Sequence, residues 1–148
     1  MKYTEILEDG KLPYWWRWQN FTPKEVSCKH CGEIWREEFA QVWDPKLREL
    51  VRTTVPPQWF LDAMDTLQLL RTQWGKPIII NSGHRCAYHN REVGGVADSQ
   101  HYTHIAFDCR CPKDQQKKFA SVAQNAGFLF TLKYPDRGFV HVDLRIGK

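Results

Sequence analysis

Between Pro56-Pro57 and Gly75 the chain carries its most constraining stretch. From Gln58 to Trp74, Phe60, Leu61, Met64, Leu67, Leu70 and Trp74 recur at three- and four-residue steps. That period places the apolar side chains on one face of a helix, which must be buried, and Gly75 is placed to end it. The β-branched run Pro77-Ile78-Ile79-Ile80-Asn81-Ser82 follows at once and predicts a buried strand. Further along, Tyr88 to Val93 reads as a short helix closed by Gly94-Gly95, Ile105 to Asp108 as a strand, and Pro112 to Ala126 as a helix stopped by Gly127. Phe128 to Lys133 and Phe139 to Leu144 read as strands joined by a turn over Tyr134 to Gly138. Helices and strands mix without regular alternation, so the fold class is α+β.

The front of the chain is less regular. Residues 1–20 form an aromatic lead-in with Tyr14, Trp15, Trp16 and Trp18, expected to lie on the body of the protein. Thr22-Pro23-Lys24-Glu25 has the pattern of a helix start, with Thr22 as cap, Pro23 at the first position and Glu25 at the third. Residues 32–56 give no clear pattern. At 148 residues the chain has room for one domain, spanning 1–148. No apolar run approaches the length of a membrane span, and the charged start, Met1-Lys2-Tyr3-Thr4-Glu5, does not read as a signal peptide. The net charge of +4 comes from scattered residues, as on a solvated surface.

Five cysteines, Cys28, Cys31, Cys86, Cys109 and Cys111, make an odd set that argues against a full disulfide framework. Cys28-Lys29-His30-Cys31 has the spacing of half a zinc site, but Cys109-Arg110-Cys111 lacks the spacing of the other half. A zinc knuckle, a disulfide and reduced thiols all remain open. A nucleic-acid module built on this turn is disfavoured, because no base-reading motif accompanies it.

Two stretches are rich in metal-ligand side chains: Ser99 to Asp108, with His101 and His104, and Phe139 to Asp143, with His141. A catalytic zinc takes three protein ligands, commonly histidine and carboxylate, and leaves one position for water. His101, Asp108 and His141 would supply that set if the fold joined the two stretches.

With Ser99-x-His101, six residues, then Asp108, and later Gly138-Phe139-Val140-His141-Val142-Asp143, the chain resembles the zinc D-Ala-D-Ala carboxypeptidases. That group includes the vancomycin-resistance dipeptidases and phage L-alanyl-D-glutamate endopeptidases. Asn81-Ser82-Gly83-His84-Arg85, His89-Asn90 and Gly94-Gly95 are similar to the family's upstream segment, although His84 stands where relatives often have tyrosine. Phe21 to Glu25 with Cys28 and Cys31 resembles the lead-in of phage members. The likeness runs in order over roughly residues 20–145.

The resemblance implies zinc on a small antiparallel sheet flanked by helices, a hedgehog/DD-peptidase-like zinc site, and hydrolysis of peptide bonds in bacterial peptidoglycan. It implies Arg85 as the group that holds a substrate carboxylate or the developing oxyanion. Ser99 would brace the ligand loop beside the substrate. His104 stands where relatives usually have glycine, and it either lines the cleft or points to solvent. The family's general base falls three or two positions before the last histidine, where this chain has Gly138 and Phe139. Asp143 shares a strand face with His141, so it is either the base or a carboxylate that orients the ligand, with Asp136 as an outside candidate. The expected setting is a phage endolysin or virion-associated lysin, held in the host cytoplasm or in the particle and acting in the periplasm and cell wall. Its partners would be peptidoglycan peptides and phage virion proteins, with no nucleic acid and no membrane insertion. The missing base keeps open a second reading, a zinc-stabilised module of the same fold that binds without cutting.

Overall fold

The computed structural model describes residues 1–36, 39–54, 56–96 and 98–145. Helices α1 (Tyr3–Ile6) and α2 (Pro23–Val26) precede a hairpin of β1 (Phe39–Asp44) and β2 (Glu49–Thr54). Then come α3 (Gln58–Trp74), β3 (Ile80–Ser82), α4 (Ala87–Glu92), α5 (Gln100–Thr103), β4 (Phe107–Arg110), α6 (Gln116–Ala126), β5 (Phe130–Tyr134) and β6 (Phe139–Asp143). The architecture is α+β, as expected.

Helix α3 forms where its periodicity placed it. Phe60, Met64, Leu67 and Leu70 are buried, and Gly75 ends the helix in the left-handed region at φ 74°. A side chain at that φ is disfavoured, which is why glycine stands there. Thr22 caps α2 reciprocally with Glu25 and Pro23 opens it, as its spacing predicts. The lead-in does pack onto the body. Trp18 and Trp16 are buried at a T-shaped 4.7 Å, and Trp18 stands edge-on to Phe60 on α3 at 5.9 Å. The Trp18 indole N–H donates to Asp65 at 2.8 Å, so its one polar atom is satisfied.

Four strands form one antiparallel sheet in the order β3-β4-β6-β5. Successive strand residues face opposite sides. Phe107, Cys109, Val140 and Val142 therefore enter the core, while Asp108, His141 and Asp143 share the other face. Helix α6 packs on β5 and β6, and α3 packs on α6, with Trp74 edge-on to Phe119 at 5.1 Å.

Several boundaries differ from the sequence reading. The strand expected over Pro77–Ser82 is regular only from Ile80, although the Ile79 carbonyl already accepts from the Arg110 N–H at 2.9 Å, and the Ile80–Cys109 and Ser82–Asp108 pairs are separated by a bulge. Proline has no N–H to give a ladder, so Pro77 offers no donor there. The strand expected at Ile105–Asp108 lies at Phe107–Arg110; Ile105 and Ala106 are buried without pairing. The stretch with no readable pattern, 32–56, holds the β1–β2 hairpin.

Candidate metal centre

Strand register makes the first half of the site. Asp108 on β4 and His141 on β6 are direct cross-strand partners, and opposed residues on one sheet face have adjacent side chains. His141 Nδ1 and Asp108 Oδ1 lie 3.0 Å apart. The second half comes from α5. Ser99 caps that short helix, its hydroxyl accepting from the His101 N–H at 3.3 Å. His101 Nε2 then stands 3.1 Å from Asp108 Oδ1 and 3.1 Å from His141 Nδ1. All three side chains are buried.

The outer hydrogen bonds fix which ring atoms face inward. His101 Nδ1 meets the Gly83 carbonyl at 2.7 Å; a carbonyl only accepts, so that nitrogen carries the proton and Nε2 of the neutral ring holds a lone pair. His141 Nε2 meets Asp143 Oδ2 at 2.6 Å, so its Nδ1 faces inward as an acceptor. The result is a nearly equilateral triangle of lone pairs with edges of 3.0–3.1 Å. Donors about 2.1 Å from a tetrahedral centre stand about 3.4 Å apart, so the triangle has close to the size zinc requires. The donor chemistry and the orienting carboxylate and carbonyl behind the two rings are those of zinc sites.

Electrostatics agree. Burial pushes the Asp108 carboxyl up, but its contacts with both imidazoles, which donate to it when the inward nitrogens carry protons in place of a metal, outweigh this and hold the group well below the usual carboxylate range. Burial drives His101 down despite its bond to Asp108. At His141, burial acts downward but hydrogen bonds to Asp108 and Asp143 prevail and raise it. Asp143 is held at about 2; burial opposes this, and bonds from His141 and Arg145 decide it.

Residues 20–143 match the sequence profile of the Peptidase M15 family. The chain belongs to the peptidase M15 family. This is a family of zinc metallopeptidases that act on peptidoglycan peptides, and the buried His101, Asp108 and His141 of this M15 chain could bind the metal. A search of curated proteins finds no match to the chain.

In this M15 domain the cluster sits in a groove of about 730 Å³, whose walls include Arg85, Asp98, Ser99, Tyr134, Arg137 and Arg145. Arg85 donates to Ser82 Oγ at 3.2 Å and Asn90 Oδ1 at 3.3 Å, and reaches Asp108 Oδ2 at 3.5 Å. The Asn90 amide also donates to the Val96 carbonyl at 2.9 Å, and a Cβ on Gly95 would lie 2.1 Å from Asn90 Oδ1, so these residues set the loop's shape. Asp143 lies behind His141 at 1% exposure, its oxygens engaged by His141 and Arg145. The His104 ring is outside the groove wall; it stands edge-on to Trp59 at 5.3 Å in an adjoining depression bordered by Gln100 and Arg145, which also line the groove. Asp136 is likewise not on the groove wall. Sequence reasoning missed Asp98, Tyr134, Arg137 and Arg145. For the last, the signal available was an arginine two residues after a buried strand acid.

Proposed function

We propose that the protein is a zinc-dependent peptidase of peptidoglycan stem peptides, deployed as a bacteriophage lysin. The observation that carries the catalytic part is the triangle of inward lone pairs on the floor of a groove walled by Arg85, Arg137 and Arg145. The phage setting is supported by the resemblance of the Phe21–Cys31 lead-in to that of phage members.

His101, Asp108 and His141 would hold zinc, which when bound supplies a Lewis acid for the scissile carbonyl and acidifies water towards a pKa of about 7. The other roles belong to the chain. Asp143 keeps the His141 proton on Nε2 and acts as a positioning residue, since neither of its oxygens is left to face the groove. Asp98 is the one carboxylate besides Asp108 on the groove wall among the described residues. We assign it to accept the proton of the attacking water and return it to the leaving amine. The arginines suit a substrate rich in carboxylates, with Arg85 nearest the metal ligands. Arg137, held over the Tyr134 and Phe139 rings at 5.7 and 5.1 Å, forms the outer wall. Ser99 braces the ligand helix, and His104 with Trp59 would meet the far end of a longer stem peptide.

The test is digestion of purified sacculi by zinc-loaded protein, with mass spectrometry of the released muropeptides. Cleaved stems, abolished by chelator and by His141→Ala, are expected. Unchanged muropeptides from folded, zinc-loaded protein would instead favour the non-cutting wall-binding module, a reading that rests on Gly138 and Phe139 at the family's base positions.

A further inference from the structure

The Cys28-x-x-Cys31 turn meets Cys86, not the Cys109–Cys111 pair. The three sulfurs lie within 4.8 Å of one another, with Cys28 buried and the other two half-buried. All five cysteines are free thiols. Sulfurs 2.3 Å from a tetrahedral centre stand about 3.8 Å apart, so closure on one ion needs shifts of about 1 Å at most from the 4.8 Å limit. The turn is already folded around the position: Cys28 N–H donates to the Glu33 carbonyl at 2.7 Å and Gly32 N–H to the Cys28 carbonyl at 2.9 Å. Cys86 caps α4, its sulfur accepting from the His89 N–H at 3.3 Å.

The sequence around Cys86 repeats the spacing of the first pair: Cys28-x-x-Cys31 is answered by Cys86-x-x-His89. The His89 and His30 rings are parallel to within 3° at a centroid distance of 6.3 Å, so His89 faces the turn. Its ring stands outside the 4.8 Å cluster, and closing the fourth corner takes a movement of the side chain towards the sulfurs.

We propose that Cys28, Cys31 and Cys86 hold a structural zinc ion, with the His89 imidazole as the fourth ligand. Three cysteines and a histidine are an ordinary structural zinc set, and soft thiolates select zinc over magnesium or calcium. At Cys28, burial pushes the thiol up, but the peptide N–H groups of Cys86, Cys31 and His30 outweigh it and lower it. At Cys31, burial and the neighbouring thiols push it up to about 11. Crowded thiols resist ionising together, and a divalent cation relieves that.

The site ties two segments that already touch. The His84 N–H donates to the Val26 carbonyl at 2.9 Å, the His84 ring meets Glu33 at 2.7 Å, and a Cβ on Gly83 would lie 2.3 Å from the Val26 oxygen. Between these contacts and Cys86 lie the Gly83 carbonyl, which orients His101, and Arg85, which reaches Asp108. An ion on the cysteines would fasten this strip to the 26–33 turn from behind, independently of whether the groove cuts peptides.

Metal analysis and cobalt substitution of the full chain test this. Only thiolate ligands give an intense sulfur-to-cobalt charge-transfer band in the near ultraviolet; the His-Asp-His centre has none. The wild type should bind two metal equivalents and show the band. His141→Ala should keep the band with one equivalent, whereas Cys31→Ser and Cys86→Ser should lose it with their second equivalent. Cys111→Ser should keep it. Wild-type protein with one equivalent and no sulfur band overturns the site, whether or not any variant folds, and so does a disulfide among the three in reductant. A band that survives Cys86→Ser at full intensity removes Cys86. Unaltered visible ligand-field bands in His89→Ala remove His89.

Discussion

Replacing Asp143 with asparagine changes one oxygen for an amide in a carboxylate that is 1% exposed. In the native chain its oxygens accept from His141 Nε2 at 2.6 Å, Arg145 N at 2.9 Å, Arg145 Nε at 3.0 Å and Arg145 Nη2 at 2.7 Å. Asparagine has one oxygen for these four donors. If it faces His141, the amide N–H groups oppose the arginine. If it faces the arginine, an N–H points at His141 Nε2, which must then accept. The ring proton moves to Nδ1 and covers the lone pair that faces Asp108 and His101. The second arrangement weakens the metal centre directly, and the first loosens Arg145, which braces Asp143 behind His141. Losing an orienting carboxylate typically costs 10–100-fold in metal affinity, or about 1.4–2.8 kcal/mol. The assay is zinc affinity by competition with a chromophoric chelator, followed by turnover of a defined muropeptide at saturating zinc. Affinity should fall by about 10–100-fold while turnover at saturation stays within about tenfold of the native value. Unchanged affinity with turnover down by about 10²–10⁴ would refute the positioning role and make Asp143 the base.

Asp98→Asn should give the opposite split, with zinc content and affinity kept and turnover reduced by about 10²–10⁴; a variant of native turnover removes Asp98 from the proton path. Zinc affinity should also depend on pH through His141. Its folded value is raised above 6.5 by Asp108 and Asp143 against the effect of burial. The bound proton therefore stabilises the metal-free fold below that unfolded value, and the contribution is lost as pH rises through the folded one. Zinc must displace this proton, so affinity should fall by about one decade per pH unit below the folded value, measured by titration calorimetry in metal-free buffers; a flat profile down to about pH 5 contradicts the assignment. Gly83→Ala puts a Cβ 2.3 Å from the Val26 oxygen, a backbone atom that cannot swing aside. About 1–3 kcal/mol of stability should be lost, lowering the melting temperature by at least about 2 °C; an unchanged melt would show that the two segments do not press together.

What the sequence made legible divides along physical lines. Helix α3 was readable because its apolar face is buried along its whole length, and periodicity reports burial directly. The β1–β2 hairpin was not, because Trp43 and Leu50 are exposed and the two strands pair only with each other. None of its described side chains is buried, so there is no core face among them for alternation to report. The metal triad could be named from two local motifs, but the direct opposition of Asp108 and His141 depends on a β4–β6 register that no local pattern records. The same reason hid Cys86. Spacing arguments weigh neighbours in sequence; Cys109 and Cys111, two thiols buried elsewhere in the fold, lacked the spacing, and Cys86 had no near neighbour to mark it. Asp98 had no pattern at all, since an isolated charge in sequence looks the same on a groove wall as on a solvated surface. Chemistry that needs a ligand set leaves a motif in the chain, whereas chemistry that needs a single well-placed carboxylate does not. Gly138 and Phe139 stand where the resemblance would place a base, which is why the proposed one is drawn from the walls of the groove.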